Sequence, residues 1–170
     1  MIRELVLATR NRDKREELAA LLIDLGIGIR TVDEFPNVPD VIEDGQTCEA
    51  NAIKKATAVS RATGLLAVAD DTGLEVDELG GQPGVYAARY AGEHVTYEDN
   101  WRKLLRELSG VPHERRRARF ITVAAVAFPS GDVQVAQGQL RGLIAEEPAG
   151  ARGFGYDPVF LVPELGKTLA

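Results

Sequence analysis

Apolar residues in this chain fall either in short continuous runs or at helical spacing, with polar turns between them. Leu5-Val6-Leu7-Ala8 is a run of strand length that stops at Thr9-Arg10-Asn11. Leu18, Leu21, Leu22 and Leu25 then repeat at helical spacing and predict a helix with its leucines on one face, stopped by Gly26. Residues 27–32 predict a second strand. Pro36, Pro39 and Gly45 among acidic residues mark 35–46 as a loop. A second helix is expected over Thr47 to Thr63, with Cys48, Ala52, Ala56 and Val59 close to one face and Gly64 ending it. Leu65-Leu66-Ala67-Val68-Ala69 reads as a buried strand running straight into an acidic turn, Asp70-Asp71-Thr72-Gly73.

The glycine-rich stretch from Gly80 to Gly92 predicts a long ordered loop. Thr96, with Asp99 beside it, is suited to cap a third helix whose apolar face is Trp101, Leu104, Leu105 and Leu108. Phe120 to Phe128 and Asp132 to Gln137 read as two strands joined at Pro129-Ser130-Gly131, with Leu140 to Ala145 extending the second. Residues 148–157 are again glycine-rich, and Val159 to Val162 form a last strand. This order predicts an α/β fold: a mixed, partly antiparallel sheet with flanking helices and a central cleft. The 170 residues suit one domain over 1–170.

Composition narrows the function classes. Lys and Arg total 20 against 26 Asp and Glu, a net charge of −6. That argues against a general nucleic-acid or membrane-surface binder. An anionic ligand would need locally focused basic residues or a metal. The single cysteine, Cys48, excludes an intrachain disulfide and a cysteine-based zinc site. The N-terminal stretch Met1 to Leu5 holds no signal-peptide core, and no apolar run approaches the roughly 20 residues that span a bilayer. The expectation is a cytoplasmic protein.

Three polar clusters follow apolar strands, where α/β proteins place ligands. The first is Thr9-Arg10-Asn11-Arg12-Asp13-Lys14, a hydroxyl, an amide and an ammonium at a helix start, where unpaired N–H groups and the dipole favour an anion. It reads equally as a helix cap with a solvated basic side. The second is Asp70-Asp71-Thr72-Gly73. Two carboxylates at the end of a buried strand are costly unless a cation or hydrogen bonds offset them. A Mg²⁺–triphosphate complex suits them; the other reading is an acidic turn. Neighbours in extended chain point to opposite faces, so one of the pair would meet the metal directly. Glu43 adds a carboxylate but by itself reads as a solvated loop acid. The third cluster is Gly153-Phe154-Gly155-Tyr156-Asp157-Pro158, in which glycines around aromatics suit a loop closing over a flat base. The run Arg115-Arg116-Arg117 with Arg119 reads as a solvated edge, His94 and His113 lack ligand spacing, and Cys48 and Trp101 read as packing residues.

Together these segments resemble the inosine triphosphate pyrophosphatase family. The resemblance rests on Ala8-Thr9-Arg10-Asn11 with Lys14, Thr47 with Asn51-Ala52 and Lys55-Ala56, and Ala69 to Leu74. It continues through Gly80 to Gly92, Glu147 to Gly150, Gly153 to Pro158 and Gly166-Lys167-Thr168, all in family order. The resemblance implies an elongated α/β structure with two lobes around a central cleft. It also implies a homodimer and Mg²⁺-dependent hydrolysis of inosine, deoxyinosine and xanthosine triphosphates to monophosphate and pyrophosphate, which clears damaged nucleotides from the precursor pool. By position, Thr9, Arg10, Asn11, Arg12, Asp13 and Lys14 match the phosphate-binding loop, and Asp71, with Asp70 beside it, the catalytic carboxylate and metal site. Glu43 matches a metal-associated acid, Lys55 a catalytic lysine, Thr72 a substrate contact, and Phe154, Gly155, Tyr156 and Asp157 the base-binding loop.

Arg10 stands where many relatives carry glycine, which implies a looser phosphate loop or one with an added cation. Cys48 replaces an aromatic, implying a packing change only. The family continues past Gly-Lys-Thr with an acidic helix, a lysine and a Ser-His-Arg element that helps read the base, whereas this sequence ends at Ala170. Weak discrimination between bases is the corresponding expectation. Three other readings are weaker. A Maf-like pyrophosphatase would carry a serine- and arginine-based first loop. A nucleotide binder without turnover would not need both Asp70 and Asp71. A dinucleotide-binding domain would show Gly-x-Gly-x-x-Gly after the first strand.

Overall fold

A computed structural model of the chain describes residues 4–170. Met1, Ile2 and Arg3, part of the stretch read for a targeting segment, lie outside the described residues. The chain divides into two compact units, Met1–Asp71 with Thr122–Gln137, and Thr72–Ile121 with Gly138–Ala170. The strands are β1 (Glu4–Leu7), β2 (Gly28–Thr31), β3 (Leu66–Val76), β4 (Pro83–Gly84), β5 (Arg117–Ala127), β6 (Val133–Ile144), β7 (Phe160–Val162) and β8 (Lys167–Thr168). The helices are α1 (Arg12–Leu22), α2 (Cys48–Thr63) and α3 (Tyr97–Glu107). Strand order is β2-β1-β3-β5-β6-β7-β8, with β4 on β3. Pairing of β1 with β2 and β3 is parallel, whereas β3–β4, β6–β7 and β7–β8 are antiparallel, so the sheet is mixed as expected.

In the first unit, Leu5, Leu7 and Val68 are buried among Leu18, Leu22, Ile29 and Val126. The apolar stripe of α1 is narrower than its leucine spacing implies. Leu18 and Leu22, one turn apart, face the strands, while Leu21 at the flank is 78% exposed. Leu25 falls in a 3-10 turn (Ile23–Leu25), whose tighter winding no longer returns it to that face. Gly26 then ends the segment in the left-handed region, at φ 64°. Thr47 caps α2 by accepting from Ala50 N–H at 3.1 Å. The hairpin joining β5 to β6 turns at 128–132, where Phe128 N–H donates to Asp132 O and Gly131 N–H donates to Phe128 O, both at 2.9 Å.

Strand β3 differs from its expectation. The acidic residues do not end it in a turn: it continues through Asp70, Asp71, Thr72 and Gly73 to Val76. Buried carboxylates are tolerated mid-strand because helix side chains offset their charge, as described below.

The second unit is built on Leu74, Val76, Leu104, Leu108, Ile144, Tyr156, Val159 and Phe160, with Trp101 and Leu105 of α3 against them. A capping box between Thr96 and Asp99 starts α3. The stretch 80–92 is partly regular, holding β4 and a 3-10 turn (Ala87–Arg89). Arg116 overturns its reading as a solvated-edge residue: it is 3% exposed, and burial pushes its guanidinium down against the charge of Glu146. Its guanidinium donates to the carbonyls of Ile144 (2.7 Å), Leu108 (2.8 Å) and Ala145 (2.9 Å), which explains a buried cation in this position.

Candidate active site

Asp70 and Asp71 sit side by side on β3 and are only 7% and 6% exposed. Neighbouring side chains of a strand project oppositely, and different helices receive these two. Lys14 of α1 donates to Asp70 Oδ2 at 2.7 Å. From α2, Asn51 Nδ2 donates to Asp71 Oδ2 at 3.1 Å, and Lys55 Nζ lies 3.6 Å from Asp71 Oδ1. The same Lys55 ammonium is 3.2 Å from Glu43 Oε1, so Glu43 is not the solvated acid its local sequence suggests. Three carboxylates and two ammoniums thus offset each other, with Asp70, Asp71 and Lys55 buried and Lys14 and Glu43 partly so. Burial pulls the Lys14 ammonium down, but the charge and hydrogen bond of Asp70, then the charges of Asp71 and Glu43, outweigh it and raise it. Lys14 therefore stays protonated.

The polar turn before α1 proves to be both a cap and a basic cluster. Asn11 Oδ1 accepts from the N–H groups of Asp13 (2.9 Å) and Lys14 (3.2 Å), and Thr9 Oγ1 accepts from Asn11 N–H at 3.2 Å. Asp13 is the acidic residue of the first turn. Arg10 is turned to Asp40 (2.6 Å), Asp33 (3.0 Å) and Val38 O (3.1 Å), so its charge ties this turn to residues 33–40. Arg12 pairs with Glu16 at 2.8 Å on the surface. Asn11 thus occupies two of the N–H groups that the sequence left open to an anion at this helix start.

Cys48, Asn51 and Lys55 recur at i, i+3 and i+7 and share one face of α2. The Cys48 thiol is pushed up to about 11, first by burial and then by the charge of Asp71 and a hydrogen bond to it. Asn51, 1% exposed, also accepts from Gly45 N–H at 2.8 Å through Oδ1. Sequence reasoning assigned Asn51 no role. Its signal was a polar residue in register with Lys55 on an otherwise apolar helix face.

Among the described residues, no group of three or more His, Cys, Asp or Glu is arranged to hold a metal ion. Magnesium, however, is commonly held by one or two carboxylates together with substrate phosphates. Glu43 and Asp71, both within reach of Lys55, offer that hard-oxygen set. The residues fit an ion shared with phosphates, not a closed all-protein site.

In the second unit, Gly153 to Asp157 form a self-braced loop. Asp157 Oδ2 accepts from Phe154 N–H at 2.9 Å, and Phe154 O from Asp157 N–H at 3.1 Å. Gly153 has φ 71°, and a Cβ there would fall 2.0 Å from Asp157 Oδ2, so only glycine admits this carboxylate. Burial pushes the Asp157 carboxyl up, against the lowering pull of the Phe154 N–H. The two aromatics differ. Phe154 is half-buried, its ring 5.9 Å from that of Tyr97. Tyr156 lies in the core and donates to Ala87 O at 2.8 Å, so its ring is not presented for stacking. Thr72 is half-buried on β3 directly after Asp71.

The chain is similar to known proteins along nearly its whole length. The chain is 49% identical over 166 residues to a dITP/XTP pyrophosphatase of Geobacter sulfurreducens, a match covering 98% of the chain and 83% of that protein. It is 52% identical over 167 residues to one of Desulforamulus reducens, again covering 98% and 83%. The solved HAM1 protein of Coxiella burnetii superposes with a TM-score of 0.88 at 41% identity, covering 100% of this chain and 86% of that one. A model of the Ham1 family matches residues 5–170, and the chain belongs to that family.

Proposed function

We propose that the chain hydrolyses non-standard purine nucleoside triphosphates (ITP, dITP and XTP) to the nucleoside monophosphate and pyrophosphate, clearing damaged nucleotides from the precursor pool. The observation that carries this reading is the ion-paired set of Lys14 on Asp70 and Lys55 between Glu43 and Asp71, beside the start of α1. The names of relatives about half identical to it support the substrate class. Lys14 and Thr9 bind phosphate oxygens. Asp71 accepts a proton from a water as its oxygen bonds to the α-phosphorus. The bond from that phosphorus to the bridging oxygen breaks, and pyrophosphate leaves with the electron pair, its charge met by Lys14. Lys55, 3.6 Å from Asp71 Oδ1, places a positive charge beside that carboxylate. Magnesium would be held by Asp71 and Glu43 and supply neutralisation of the triphosphate charge.

Incubation with ITP and Mg²⁺ is expected to yield IMP and pyrophosphate in equal amounts. Orthophosphate as the first product would rule out attack at the α-phosphorus. Phe154, the accessible aromatic of the glycine loop, is taken to stack on the base. Phe154→Ala is expected to raise KM for ITP roughly tenfold, the scale of one lost base–aromatic contact. Tyr156→Phe, which loses only the bond to Ala87 O, should cost about 1 kcal/mol of stability and leave KM unchanged. A KM shift for Tyr156→Phe larger than that for Phe154→Ala would reverse these roles.

The same reading makes the protein a cytoplasmic homodimer that binds neither nucleic acid nor membrane. The net charge of −6 supports the absence of nucleic-acid binding. Among the described residues, no helix is long and apolar enough to cross a membrane.

A further inference from the structure

Asn51 is buried at 1% exposure and uses both ends of its carboxamide on the site. Its Nδ2 donates to Asp71 Oδ2 at 3.1 Å, and its Oδ1 accepts from Gly45 N–H at 2.8 Å. One side chain therefore links the proposed base to the loop that carries Glu43, two residues before Gly45. Lys55, one turn further along α2, lies between the carboxylates of Asp71 and Glu43, but at 3.6 Å from Asp71 it is a looser constraint than the amide. The approach of the loop is tight. A Cβ on Gly45 would lie 2.5 Å from Asn51 Oδ1 and 3.1 Å from Ala50 Cβ, so residue 45 must be glycine for the amide to stay where it is.

We propose that Asn51 is the positioning residue of the active site: it fixes the rotation of the Asp71 carboxylate and, through Gly45, holds the Glu43 loop against the same helix. An amide suits this task where an ammonium or hydroxyl does not. It donates to a carboxylate and accepts from a backbone N–H at once, in one rigid plane, without adding charge. With Oδ2 of Asp71 engaged by the amide, the other oxygen is left towards Lys55 and the reacting water. The inference rests on Asp71 being the base of the proposed hydrolysis.

Two substitutions disturb the amide by different means. Asn51→Asp keeps the acceptor for Gly45 N–H and the size of the side chain but removes the donor to Asp71. Gly45→Ala keeps Asn51 chemically intact and displaces it. With ITP and Mg²⁺ at fixed pH, each is expected to lower kcat roughly 10- to 100-fold per folded molecule, the scale of an ångström-level misplacement, while KM stays within about threefold. The double variant should be no more than about threefold slower than the worse single variant, because both act through one amide. Melting curves taken in parallel separate this from a folding role, which would lower the melting temperature and leave kcat per folded molecule unchanged. Unchanged kcat in either variant, or costs that multiply in the double variant, would overturn the positioning role. Failure of the wild-type protein itself to release pyrophosphate would instead overturn the hydrolase reading, so the two failures are distinct.

Discussion

Replacing Asp71 by asparagine is expected to reduce kcat by about 10²- to 10⁴-fold, the range associated with a general base, while the melting temperature changes little. Structural damage is expected to be small because the neighbours of Asp71 retain partners. Asn51 keeps its bond from Gly45 and can still donate to a carboxamide oxygen at position 71. Lys55 keeps Glu43 at 3.2 Å, and Lys14 keeps Asp70 at 2.7 Å. What is lost is a carboxylate that both Asn51 and Lys55 address. Steady-state release of pyrophosphate from ITP measures the first part of this expectation, and thermal unfolding the second. Turnover within about threefold of wild type would remove Asp71 as proton acceptor.

The second large effect falls on stability. Arg116 holds three carbonyls at 2.7–2.9 Å from the end of α3 and the end of β6. Arg116→Met fills a similar volume but leaves those acceptors facing an apolar chain. The expected loss is about 3–5 kcal/mol, from several buried acceptors each costing about 1–3 kcal/mol with partial relaxation. For a chain of this size that is a fall of roughly 10 °C in melting temperature. Arg116→Lys keeps a cation but cannot span acceptors on two elements with one planar fork, so an intermediate loss is expected. A melting temperature for Arg116→Met within about 2 °C of wild type would show that the carbonyls find other donors.

These two residues also show how far the sequence could be read. Asp71 stood out because an acidic pair at the end of an apolar run must be offset by something. That requirement is local, so the chemistry was legible without a structure. Arg116 carried no such mark. A run of arginines has the same local pattern whether exposed or buried, and only the return of β6 beside α3 supplies the carbonyls that bury it. Tyr156 gave the reverse error. An aromatic between glycines suggests a stacking ring, yet the core of the second unit takes it and leaves Phe154 accessible.

By itself, the sequence determined most of the succession of elements, the cap at Thr96, the α/β class and the presence of a cationic and an acidic cluster. Each of these depends on residues within a few positions of one another, through period, capping or turn geometry. Tertiary structure decided which helix serves which carboxylate, that β3 runs on through Asp70 and Asp71, and that Asn51 joins Asp71 to Gly45. These depend on residues between 6 and 56 positions apart, brought together by parallel pairing of β1 with β3 and by the packing of α2. No periodicity along the chain encodes that approach, because the charges that stabilise one another there are neighbours only in the folded molecule.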